Sequence, residues 1–208
     1  MSAPQSAEES IQVIRQLMER ATTYRVLSTT SAFSGALASF AVGGYLFMNG
    51  SSVGIGMFVG LWLAVLLVLD CVNSFLLFKN SKQRKSSFPS PQMIHAVITM
   101  LPGFLAGGVI GLVFAFVNED PVRCATIWVV FAGLSLLGTS SFAPRSVTRL
   151  GWALLVSGLG LFMWKELGKP LPGDNSVSQA SFVMMITFGL WSALYALWTG
   201  VIARKKAD

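Results

Sequence analysis

The sequence predicts an all-α fold: a polytopic membrane bundle of six transmembrane helices, preceded by a cytoplasmic amphipathic helix at the interface. Three observations carry this. Of 208 residues, 53% are apolar and only 12% charged, about half the charge usual in a soluble domain. The charges sit almost wholly between apolar blocks of 18 to 26 residues, each long enough to cross a ~30 Å hydrocarbon layer as a helix. The blocks are apolar all round, so lipid or other helices surround them rather than water. No stretch alternates with the period of two that a membrane barrel needs.

The chain divides into a polar segment 1–25, a spanning region 26–203 and a basic tail 204–208. In the first segment, Ser6 with Glu9 makes a capping-box pattern after Pro4. It leads into Ile11, Ile14, Leu17, Met18 and Ala21 at helical spacing. Such a helix lies along the cytoplasmic interface. It serves either as an anchor or, through Ile11, Ile14, Arg15, Met18 and Glu19, as a docking surface for a cytoplasmic partner. About 25 polar residues precede the first apolar block, and no small-residue cleavage site closes a short one. The first span is therefore expected to be retained.

The six spans are read at 27–48, 53–78, 94–117, 122–142, 147–164 and 180–203. In the first, Gly35, Ser39 and Gly43 recur every four residues, and in the third Gly103, Gly107 and Gly111 do the same. Small residues on one helical face let backbones approach closely, which is how helices associate inside lipid. Spans one and three are therefore expected in the interior. Pro102 removes a backbone donor in span three and predicts a kink above Ile98. Trp128, Trp152, Trp164 and Trp198 fall near span ends, where interfacial belts place tryptophan. Cys71 and Cys124 lie at different depths, so they read as two buried thiols rather than as a pair.

Fifteen Lys and Arg against nine Asp and Glu give a net charge of +6, a balance that in a soluble protein would suggest nucleic acid. Placement argues otherwise. Twelve of the basic residues fall in one set of alternate connections, and only Arg123, Lys165 and Lys169 in the other. This asymmetry orients a membrane protein and puts both termini in the cytoplasm.

One charge lies deep inside a span. Asp70 is nine residues before Lys79, about 13 Å along a helix at 1.5 Å per residue. A carboxylate there is costly unless paired, solvated or protonated. With Asn73 one turn away, it could form a proton or cation site, with His95, Arg149 or Arg25 as counter-groups. Alternatively, a neutral Asp70 is hydrogen-bonded across helices as structural glue. Catalytic chemistry finds little else. A single histidine excludes a bis-histidine haem within one chain, and no HExxH, paired cysteines or acid cluster offers a metal site. Neither a P-loop nor a nucleophile elbow occurs. No cofactor and no metal are expected.

The order of segments resembles a widespread group of small, uncharacterised bacterial inner-membrane proteins with six spans. These open with an IRxMMERS-like helix, matched here by Ile14-Arg15-Gln16-Leu17-Met18-Glu19-Arg20. The likeness continues through Leu134-Ser135-Leu136-Leu137-Gly138, Arg149-Leu150-Gly151 and Phe188-Gly189-Leu190-Trp191-Ser192-Ala193-Leu194-Tyr195, and so covers most of the chain. A histidine often found in the group's last span is absent, and a glycine tends to stand where this chain has Asp70. The resemblance implies six spans and a cytoplasmic helix, and no activity. Three functions follow. They are a non-catalytic accessory or regulatory subunit packing against other membrane proteins, a second copy or a cytoplasmic partner; a small proton- or cation-linked transporter using Asp70; and an enzyme acting on lipid or quinone.

Overall fold

A computed structural model describes residues 29–83 and 91–204. The N-terminal segment, with Ile11, Ile14, Arg15, Met18, Glu19 and Arg25, lies outside the described residues, as does the tail beyond Arg204. The described residues are helical throughout apart from the connections, without a strand. Among the described residues, six helices are long and apolar enough to cross a membrane, as a multi-pass membrane protein requires.

They are α1 (Thr29–Asn49), α2 (Ile55–Gln83), α3 (Pro91–Phe116), α4 (Pro121–Gly138), α5 (Arg145–Glu166) and a last span in three pieces. That span comprises α6 (Ser176–Met184), a π-helical turn (Met185–Gly189) and α7 (Leu190–Arg204). Local chemistry sets the starts. Pro91 and Pro121 each open a helix, where their missing N–H costs nothing. The Asp120 carboxylate caps α4 by accepting from the Val122 and Arg123 amides at 3.1 and 3.0 Å. Asn175 caps α6 through the Ser178 amide at 2.9 Å. The helix of α3 continues through Pro102. At the π turn, the Thr187 hydroxyl donates to the Val183 carbonyl at 2.7 Å.

Helices α3, α4 and α5 pack side by side in chain order, while α1 packs against the last span and carries α2 on its other side. Contact between α4 and α6 joins the two groups, and α5 touches α7. The end that holds the start of α1 and the finish of α7 is called proximal below, and the opposite end distal. At the distal end the Ser178 hydroxyl donates to the Phe47 carbonyl at 3.0 Å, tying α6 to the last turn of α1. Gly50 turns the chain there, and a Cβ on it would strike Ser178 Oγ.

The core runs through Phe58, Trp62, Val122, Val129, Val147, Leu154, Val183 and Met184. Its distribution corrects one expectation. In α4, 56% of the apolar window is buried, against 11% in α3, so the third span is peripheral. A glycine face licenses one close neighbour, and α3 has that neighbour in α4. Its other faces, with Val97, Leu101, Leu105 and Val109, point outward.

Candidate functional site

Asp70 lies on the exposed side of α2, amid Leu66, Leu67, Val68 and Phe75, which are exposed too. Asn73 is about 60° round the helix at 3.6 residues per turn, and it is half-buried. The Asp70 side chain makes no hydrogen bond or ion pair with another described residue. Neither His95 nor Arg149 makes an ion pair with Asp70. His95 stands at the proximal start of α3, exposed, with its ring 5.0 Å from that of Phe142. Arg149 stands on α5, with its guanidinium carbon 5.9 Å from the Trp198 ring centre. Asp70 lines neither the cleft bounded by Thr30, Phe33, Ala196 and Leu197 nor the one between α5 and α7. Cys71 is exposed, which corrects the reading of two buried thiols, and only Cys124 is buried.

The glycines of α3 face α4 in antiparallel register. Ideal Cβ atoms on Gly103, Gly107 and Gly111 would run into Ser135, Phe131 and Trp128 respectively. Trp128 therefore fills a notch between helices rather than joining an interfacial belt. Trp152, Trp164 and Trp198 are exposed near span ends. On α1 the small face is shared between two neighbours. A Cβ on Gly35 would meet Leu69 of α2 at 3.5 Å, and one on Gly43 would meet Met185 of the π turn at 3.0 Å. Ser39 between them is buried.

Three features were not foreseen. Helices α4 and α5 approach closely at Gly133, where a Cβ would stand 2.6 Å from the Leu155 amide and 2.8 Å from the Gly151 carbonyl oxygen. The seven-residue spacing of Gly151 and Gly158 was the available signal. At the distal end, Arg123 grips Glu166 with Nε donating to Oε1 at 2.6 Å and Nη2 to Oε2 at 3.0 Å. Asp120 stands 3.7 Å from the same guanidinium. At the proximal end, a cleft of about 260 Å³ opens between α5 and α7, with Ser146 and Arg149 toward its mouth and Leu194 and Trp191 below. No cluster of three or more His, Cys, Asp or Glu able to hold a metal occurs among the described residues.

Comparison with known protein families, with curated proteins and with solved structures finds no match to the chain.

Proposed function

We propose that the chain is a non-catalytic subunit of the bacterial inner membrane, with both termini cytoplasmic. It docks onto another membrane protein through the face of α2 that carries Asp70. The position of Asp70 carries this reading: it is exposed, on an apolar surface, six residues inside the proximal end of the span. A carboxyl facing lipid at that depth is costly and too short to reach water by snorkelling. The cost falls if a partner span brings a Lys, Arg or His donor to the same depth, which defines the occupant by charge complementarity. The cytoplasmic N-terminal helix and membership of the six-span group belong to the same proposal.

The test is gentle purification from native membranes of the wild type, Asp70→Leu and Asp70→Glu. A stoichiometric companion with a basic residue inside one of its spans should be lost with Asp70→Leu and retained with Asp70→Glu. A wild type that purifies alone, or a companion indifferent to Asp70→Leu, overturns the reading.

A further inference from the structure

The cleft between α5 and α7 grades from polar to apolar in the direction a phospholipid does. Ser146 and Arg149 lie in the first turns of α5, and Trp198 lies six residues before the end of α7. These positions are within about 6 to 9 Å of the helix ends at 1.5 Å per residue, the level of lipid headgroups. Deeper in, Leu194, Ala153 and Trp191 line the same cleft. The Trp191 indole is fixed there by donating from Nε1 to Ser157 Oγ at 3.2 Å.

Arg149 makes no ion pair with an acid among the described residues, although its side chain is positioned by the Trp198 ring at 5.9 Å. A guanidinium held on an aromatic face keeps its planar donor edge free, and that edge matches two oxygens of a phosphate. The apolar half of the cleft offers hydrocarbon contact to an acyl chain. A basic pocket between spans at headgroup depth is a recurrent way of holding an anionic lipid.

We propose that this cleft binds one anionic phospholipid of the proximal leaflet, with its phosphodiester on Arg149 and Ser146 and one acyl chain over Ala153 and Leu194. The site needs only that the helices span a membrane, so it stands or falls separately from docking at Asp70.

The experiment uses the full chain in mild detergent. Thermal stabilisation and native mass spectrometry are read on adding phosphatidylglycerol, phosphatidylcholine or glycerol phosphate. Phosphatidylglycerol should bind at least about tenfold more tightly than to Arg149→Gln, as loss of a charge-assisted contact requires. Arg145→Gln, at the same end but outside the cleft, should bind as wild type. Leu194→Trp, which fills the apolar half, should also weaken binding without removing the cation. Equal affinity for phosphatidylcholine, wild-type binding by Arg149→Gln, or equal stabilisation by glycerol phosphate alone would each overturn the proposal. Should Arg149→Gln fail to fold, normal lipid binding by a folded Leu194→Trp would do the same.

Discussion

The edge of the Trp128 indole on α4 lies against Gly111 of α3, in the space a side chain at 111 would need. The same relation recurs one and two turns along, with Phe131 at Gly107 and Ser135 at Gly103. The three glycines thus form a trough, and α4 fills it with a large, a large and a small side chain.

Substitution inside and outside the trough should have opposite signs. At Gly107, a methyl group meets Phe131 Cβ, an atom anchored to the backbone, so Gly107→Leu should destabilise by an overpacking cost of ~1–3 kcal/mol. Its neighbour Gly108 has nothing within 4 Å of a Cβ, and Gly108→Ala should stabilise by up to ~1 kcal/mol through helix propensity. Leu105→Ile, on the exposed side, should change little. Thermal unfolding in detergent measures all three, and equal losses at 107 and 108 would mean that the trough is not packed.

At the distal end, Arg123 and Glu166 tie the start of α4 to the end of α5 through two hydrogen bonds. Both side chains are more than a third exposed, so water and salt screen the pair. Glu166→Gln should lower the melting temperature slightly, and the loss should shrink in high salt. The exchange of both residues, Arg123→Glu with Glu166→Arg, should recover part of it unless Asp120, 3.7 Å from the guanidinium, is the stronger partner. A loss that is large and insensitive to salt would contradict an exposed pair.

How far the sequence could be read depended on the scale of the interaction. The spans were legible because twenty consecutive apolar residues have few alternatives to crossing lipid. The trough at 103, 107 and 111 was legible as a period of four. Which helix fills it was not, since that depends on Trp128 and Phe131 of another span. The peripheral place of α3 was missed for the same reason: a stripe of glycines reports one neighbour and is silent about the opposite face. The π turn at Met185–Gly189 had only Thr187 and Gly189 as local marks, and neither distinguishes a π turn from an ordinary helix. Asp70 was conspicuous by its charge. Whether it faced in or out was undecided, because α2 is apolar on every side around it.

Topology is testable directly. If the twelve-to-three distribution of basic residues orients the chain, reporter fusions after Lys85 and after Lys206 should both read cytoplasmic, and one after Gly173 periplasmic. A cytoplasmic reading after Gly173 would conflict with an odd number of spans between it and the N-terminus.

Asp70 should behave differently in the isolated chain and in the native membrane. It is exposed and its carboxyl makes no hydrogen bond to another described residue, so within the monomer that group holds nothing together. Asp70→Asn and Asp70→Leu should therefore leave the melting temperature of the purified chain unchanged or slightly raised, since either removes a charge from an apolar surface. In membranes that contain the partner, Asp70→Leu should shorten the lifetime of the chain, because an unassembled subunit loses the stabilisation that binding gives. Asp70→Asn should fall between, as the amide accepts and donates hydrogen bonds without the charge that attracts a Lys or Arg. Melting in detergent and pulse-chase turnover in cells separate the two effects. A marked fall in melting temperature for Asp70→Leu would instead make Asp70 an internal structural group, and the docking face would have to be sought elsewhere.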